Sequence, residues 1–193
     1  AYFLIFAPVH SHLADPAFKS WARRAIGPAF DSWQRLAYNL LALIMILPFL
    51  FILLFLPGKT LYMVSAPSNY LLALGQLLLV AAMLMTLRQT GAASFLGLSH
   101  IGNKSRTDDG RRLVTTGLYS RTRNLLFFFA ALILWLTPLM TESLLSFNIL
   151  ATIYFYLGAR HEERSLKAEY GEAYEEYKSR VPMFLPRLRS ASR

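Results

Sequence analysis

The sequence predicts an all-α integral membrane helical bundle, with about five transmembrane helices and a C-terminal cytoplasmic amphipathic helix. Of its 193 residues, 55% are apolar and 16% charged, whereas soluble domains are typically about a quarter charged. The apolar residues form long uninterrupted runs, and the cations cluster between those runs. The length suits one domain, residues 1–193.

The apolar runs define the predicted spans. Residues 36–56 form the clearest one, which would cover roughly 30 Å as a helix and so match the hydrocarbon core of a bilayer. The last two runs are separated by the turn Thr141-Glu142-Ser143 and are expected to pack as an antiparallel hairpin. We predict spans at residues 1–13, 36–56, 69–87, 124–140 and 144–158.

Positive charge orients these spans. Nineteen of the twenty Lys and Arg residues lie after the first, third and fifth spans, and Lys59 alone lies on the other side. The positive-inside bias therefore predicts an outside N-terminus and a cytoplasmic C-terminus. The net charge of +9 flanks apolar runs, which favours the lipid bilayer as partner and excludes nucleic acid.

Two predicted cytoplasmic segments, residues 88–123 and 159–186, are where a reaction outside the membrane could take place. The first contains five glycines and is expected to be loop-like. The second predicts a helix whose apolar stripe recurs every three or four residues and ends before Pro182. The stripe consists of Leu166, Tyr170, Tyr174, Tyr177 and Val181.

Glu163 is the first candidate functional residue. It lies three residues before Leu166, so its carboxylate is expected on the inward face of the helix, where it needs a partner. A structural explanation is also open, in which the acid favours a helix N-terminus and pairs with Lys167.

The second candidate is the stretch from Thr116 to Asn124, which leads into the fourth span. Its arginines, Arg121 and Arg123, are either topology anchors or a basic rim that faces Glu162 and Glu163 across the hairpin. The chain has no Cys, no metal-ligand spacing of His, Asp and Glu, and no P-loop or G-x-G-x-x-G motif. These absences exclude a thiol nucleophile, a metal centre and a Rossmann-type nucleotide site.

These two segments together resemble the isoprenylcysteine carboxyl methyltransferase superfamily of integral-membrane methyltransferases. Members carry G-x-Y-x-x-x-R-H-P-x-Y before a membrane hairpin, then E-E-x-x-L, F-G-x-x-Y-x-x-Y and V-P. Here the first motif reads GLYSRTRNLLF over residues 117–127, and the others read EERSL over 162–166, YGEAYEEY over 170–177 and VP at 181–182. The N-terminal run HSHLA at residues 10–14 is similar to the methanethiol methyltransferase-type branch.

The resemblance implies S-adenosylmethionine as cofactor and a lipophilic or small-molecule methyl acceptor that arrives from the membrane. Arg123 and Glu163 would be the catalytic residues. The branch resemblance also favours a bacterial inner membrane. The implied cofactor-binding residues are Tyr119, Arg123, Asn124, His161, Glu162 and Glu163.

Three positions depart from the family pattern: Asn124 replaces His, Leu125 replaces Pro and Phe127 replaces Tyr. An amide still donates and accepts hydrogen bonds, so a role for Asn124 survives the change. Two alternatives therefore stay open. One is a membrane scaffold or assembly protein with a degenerate site, and the other is an enzyme resembling nicotinamide-dependent sterol reductases.

Overall fold

The computed structural model describes residues 2–27, 30–90 and 113–185. Residues 91–112 and 186 of the predicted cofactor region therefore lie outside the described residues. Within the described ranges the chain is mostly helical, with seven α-helices, a 3₁₀ turn at Gly117–Ser120 and two short strands. The elements are α1 (Tyr2–Ala14), α2 (Pro16–Ile26), α3 (Phe30–Phe55), β1 (Thr60–Met63), α4 (Ser68–Thr90), α5 (Leu125–Trp135), β2 (Leu139–Thr141), α6 (Glu142–Tyr170) and α7 (Glu172–Arg180).

Residues up to Gly58 belong to the first of two compact units. In this unit α1 packs against α3 through aromatic side chains, with Phe6 and Phe49 both buried. The Tyr38 hydroxyl of α3 lies within hydrogen-bond distance of the His10 ring, 2.8 Å from Nε2. The Asp15 side chain accepts a hydrogen bond from Ala17 N at 2.7 Å and thereby caps the start of α2. His10 is thus a helix-packing residue.

Residues 59–90 and 113–185 belong to the second unit. Here α5 and α6 form the predicted hairpin, and polar side chains bond to backbone carbonyls across the helices. Asn148 Nδ2 donates to Leu134 O at 2.9 Å, and Gln76 Nε2 of α4 donates to Ile133 O at 3.0 Å. These two bonds fix both neighbours of α5.

A two-stranded antiparallel sheet joins the two connections on one side of this unit. Thr60 pairs with Thr141 and Met63 with Leu139, with an irregularity between them. Glu142 N donates to Lys59 O at 3.0 Å, and Lys59 N donates to the Glu142 carboxylate at 3.1 Å. The all-α prediction did not include these two short strands.

Two helices are long and apolar enough to cross a membrane, at Leu36–Phe55 and Ser68–Gln89. Their apolar side chains are largely exposed, with Leu54 72% and Leu71 70% accessible. Such surface is costly in water and unexceptional in lipid. The structure therefore supports a membrane protein. Among the described helices, α1 and α5 fall short of the length that the five-span prediction requires.

The helices of the hairpin do not have the same bounds as the predicted spans. The first helix ends at Trp135 rather than near residue 140, because Pro138 follows and residues 139–141 pair as a strand. The turn predicted at residues 141–143 is instead the start of α6, with Thr141 Oγ1 accepting from Leu144 N. The α6 helix also continues through the predicted span end at residue 158 as far as Tyr170.

The single C-terminal helix predicted over residues 159–181 is broken at Gly171. Its φ of +56° with ψ of −124° lies where side chains are rarely tolerated. The chain turns there, so α7 packs back on the end of α6. The stripe predicted from the sequence is confirmed as the resulting apolar cluster, in which Leu113 also packs.

We expect Gly171→Ala to destabilise this turn by about 1–2 kcal/mol, because the strain lies in the backbone. No atom lies within 4 Å of a Cβ at Gly171, so crowding would not contribute. Thermal unfolding in detergent would measure the loss. Glu169→Ala, an exposed change near the end of α6 between two good helix formers, is the control, and an unchanged melting temperature for Gly171→Ala would contradict the account.

Candidate active site

The loop before α5 is fastened to the chain that follows α7. Thr122, 1% exposed, donates from Oγ1 to Phe184 O at 2.7 Å. The backbone N–H groups of Arg123 and Asn124 donate to the carbonyls of Pro182 and Met183 at 3.0 and 3.2 Å. The Val-Pro segment thus runs beside residues 122–124 and presents carbonyls to them.

Arg123, Asn124 and Glu163 form the centre of the site, and we call these three residues the polar cluster. Arg123 donates from Nε and Nη2 to Glu163 Oε1 at 2.9 and 2.8 Å. Asn124 Nδ2 donates to the same oxygen at 2.9 Å. The Arg123 and Glu163 side chains are 8% and 9% exposed. The cluster is therefore a buried, hydrogen-bonded ion pair.

Arg123 also holds the C-terminal helix in place. Its Nη1 donates to the carbonyl of Lys178 at 2.8 Å and to that of Val181. A planar guanidinium can satisfy a carboxylate and two carbonyls at once. Nearly all of its donors are used in this way, so Arg123 acts chiefly to position Glu163 and α7.

Glu163 faces inward, as its place on the stripe predicts, but its partner is not Lys167. Lys167 pairs instead with Glu175, Nζ to Oε1 at 2.8 Å. Glu163 Oε1 is saturated by three donors, whereas no group among the described residues donates to Oε2. That second oxygen keeps its capacity to accept a hydrogen bond.

The adjacent Glu162 forms no ion pair with the described residues. Crowding by surrounding protein atoms raises the pKa of its carboxyl, and the negative charge of Glu163 raises it further. The residue nevertheless keeps part of its surface exposed. An accessible carboxylate with a raised pKa is a better proton acceptor than an ordinary one.

Two tyrosines of α7 lie beneath the polar cluster. Tyr177 donates its hydroxyl to Tyr119 O at 2.7 Å, which ties α7 to the 3₁₀ turn. Tyr174 is 1% exposed, and its hydroxyl makes no hydrogen bond to the described residues. Burial raises the pKa of Tyr174, and the charge of Glu163 raises it further. The Arg123 guanidinium beside it lowers this pKa in part, and the hydroxyl stays protonated and buried beside the cluster.

Tyr174→Phe and Tyr177→Phe are expected to differ in stability although each removes one buried hydroxyl. Tyr177→Phe should cost about 1 kcal/mol because it leaves the Tyr119 carbonyl without its donor. Tyr174→Phe should be neutral or slightly stabilising, because no bond is lost. Chemical unfolding of both variants in detergent measures the difference, and equal losses would contradict these assignments.

The structure brings Arg123, Asn124, Glu162 and Glu163 of the predicted residues into one neighbourhood. Tyr119 joins them through its backbone carbonyl. His161 instead lies exposed on another face of α6. Neither Thr122 nor Tyr174 is among the predicted site residues, although Thr122 lies within the candidate stretch of residues 116–124. The apolar stripe and the Val-Pro dipeptide were the signals that could have led to them.

Comparison with known proteins finds relatives that match along almost the whole chain. Methanethiol S-methyltransferase 2 of Bradyrhizobium diazoefficiens is 33% identical over 95% of this chain and 70% of its own length. A methanethiol S-methyltransferase of a Pseudomonas species is 32% identical over the same shares, and one of Mycobacterium tuberculosis is 30% identical over 94% and 74%. No family model and no solved structure matches the chain.

Proposed function

The chain belongs to the isoprenylcysteine carboxyl methyltransferase-like family as a methyltransferase, and from that premise we propose that it methylates a small thiol with S-adenosylmethionine as methyl donor. The relatives are named for methanethiol, which defines the acceptor class that we propose here. The reaction would break the bond between the donor sulfur and its methyl carbon and form a carbon–sulfur bond to the acceptor.

The observation that carries the proposal is that only one oxygen of the Glu163 carboxylate, Oε1, accepts hydrogen bonds from the described residues. Three donors hold Oε1 in a fixed position, and Oε2 is left to accept. Rigid carboxylates with a remaining acceptor suit ribose hydroxyls or an ammonium group, both of which S-adenosylmethionine carries. Glu162 lies on the exposed side and offers a second carboxylate to the same ligand.

The hydrogen-bond donors expected to bind the cofactor are mostly occupied by other partners. The resemblance assigns Arg123, Tyr119 and Asn124 to its carboxylate, but Arg123 and Asn124 already donate to Glu163 and to backbone carbonyls. Tyr119 lies on the 3₁₀ turn and is only partly buried. We therefore propose that Arg123 positions the site and that Tyr119 contributes the hydrogen bond to the cofactor carboxylate.

When bound, the cofactor supplies an electrophilic methyl carbon on a sulfonium. This chain must then orient the acceptor and remove its proton. Glu163 Oε1 already accepts from Arg123 and Asn124. We assign the thiol proton to Glu162, whose raised pKa favours proton uptake. In-line positioning can contribute roughly 7–11 kcal/mol to such a step.

We propose that the protein spans a bacterial inner membrane five times with its C-terminus in the cytoplasm. The clustering of positive charge on one side supports that orientation. The pairing of β1 with β2 is consistent with it, since the strands lie in the two connections expected on the outer side. A small apolar thiol partitions into lipid and would reach the site between helices.

Calorimetric titration of the detergent-purified protein with S-adenosylmethionine and with S-adenosylhomocysteine tests the cofactor. Gas-phase detection of dimethyl sulfide from methanethiol tests the acceptor. We expect micromolar binding of both ligands and thiol-dependent product formation. Well-folded protein that binds neither ligand, even with lipid added back, would overturn the proposal and favour the scaffold alternative.

Substitution of Asn124 provides a matched pair within that assay. Asn124→His should retain methyl transfer, because an imidazole N–H can replace the amide donor to Glu163 Oε1. Asn124→Asp should reduce it by at least roughly tenfold, because a second carboxylate repels the first and donates nothing when ionised. Equal activities would mean that the Asn124–Glu163 bond has no part in the reaction.

A further inference from the structure

A basic groove lies on the flank of α6, away from the polar cluster. It has a volume of about 420 Å³ and is lined by Tyr156, Leu157, Arg160, His161 and Arg164. These residues share one side of the helix at spacings of three, four and one, whereas Glu163 faces the buried side. The groove is therefore separate from the proposed cofactor site.

The two arginines of the groove form no ion pair with the described residues. Within the described part of the chain, neither Arg164 nor the His161 ring forms an ion pair or a side-chain hydrogen bond. Arg160 is held in place, with Nη1 donating to the Tyr156 hydroxyl at 3.1 Å and its guanidinium 5.9 Å from the centre of that ring. Most of its five donors remain available.

Exposed apolar side chains continue from the groove along the same flank of α6. Ile149, Ile153 and Leu157 are 45%, 53% and 57% exposed. They lie toward the helix start, and the distance from Ile149 to Arg164 is roughly 22 Å at helical rise. An apolar track of this kind that ends in two arginines matches an acyl chain that ends in a charged headgroup.

We propose that this groove binds the headgroup phosphate of an anionic phospholipid, whose acyl chains cover the apolar flank of α6. The phosphate would lie against Arg160 and Arg164, since guanidinium groups bind phosphate through paired N–H donors. S-adenosylmethionine carries a sulfonium and an ammonium against one carboxylate, so it is a net cation that these two arginines would repel. The lipid would hold the cytoplasmic extension of α6 against the bilayer surface.

Native mass spectrometry of the detergent-solubilised protein tests the proposal, with phosphatidylglycerol and phosphatidylcholine added separately. We expect phosphatidylglycerol to be retained in preference. The double substitution Arg160→Gln with Arg164→Gln should weaken its retention by roughly thirtyfold. Lys178→Gln with Arg180→Gln removes the same charge from the exposed face of α7 and should leave retention unchanged.

Three results would overturn the proposal. The first is equal retention of both lipids by the wild-type protein, and the second is equal loss in the two double variants. The third is displacement of phosphatidylglycerol by S-adenosylmethionine or by millimolar inorganic phosphate, which would make the groove a site for the cofactor or for a free anion. Cofactor binding by calorimetry is measured independently, so its failure would be distinguishable from a failure here.

Discussion

Replacing Glu163 with Gln is expected to lower the free energy of unfolding by about 3 kcal/mol, even though the two side chains have nearly the same shape. The buried Arg123 guanidinium would lose its counter-charge, and Oε1 would no longer be a charged acceptor for three donors. Chemical unfolding in detergent at pH 7 measures the loss. We also expect methyl transfer to fall, because the acceptor at Oε2 is altered.

Glu162→Gln makes the same chemical change one residue away and should have the opposite effect on stability. The pKa of Glu162 is raised in the folded protein, so the folded state binds its proton more tightly than the unfolded chain does. The ionised carboxylate therefore destabilises the fold as pH rises above its ordinary value of 4.5. Glu162→Gln should be more stable than wild type at pH 7, with the difference vanishing below about pH 4.

Comparing Glu163→Gln with Glu162→Gln distinguishes effects on stability from effects on methyl transfer. Under our proposal Glu162→Gln stabilises the protein and yet slows methyl transfer, because the proton acceptor is removed. A gain in stability with unchanged transfer would reassign the base. If instead Glu163→Gln unfolds like wild type, the buried ion pair would be energetically unimportant, and any activity that it lost would be a direct measure of ligand binding.

Replacing Arg123 with Lys is the second large effect that we expect, at about 2 kcal/mol of unfolding free energy. The charge is retained, but an ammonium cannot reach Glu163 and the carbonyls of Lys178 and Val181 together. The C-terminal helix should therefore detach more readily. Limited proteolysis after Lys178 or Arg180 would report the detachment separately from global unfolding.

Arg121→Lys is the matched control, since Arg121 is exposed and its side chain makes no hydrogen bond to the described residues. It should leave both stability and proteolysis unchanged. If Arg121→Lys and Arg123→Lys behaved alike, both arginines would be topology anchors, as the structural explanation of this segment holds. A loss confined to Arg123→Lys would establish its positioning role.

The sequence by itself determined which helical faces are buried and which helices are long and apolar enough to cross a membrane. Periodicity placed Glu163 on the same face as Leu166, Tyr174 and Tyr177, and all four contribute to the packed end of the second unit. Apolar runs predicted α3 and α4 as spans. Such patterns succeed because each one is local. A helix face repeats every 3.6 residues, and a membrane span is an uninterrupted apolar run of sufficient length.

The tertiary structure alone decided the partners of Arg123 and the break at Gly171. The guanidinium binds carbonyls 55 and 58 residues away, and every residue has a carbonyl, so no pattern of side chains marks the two that accept. No atom lies within 4 Å of a Cβ at Gly171. Its positive φ is therefore required only because the chain turns there to let α7 pack against α6. Local repeats encode burial, whereas hydrogen bonds between distant backbone groups depend on where the folded chain brings them.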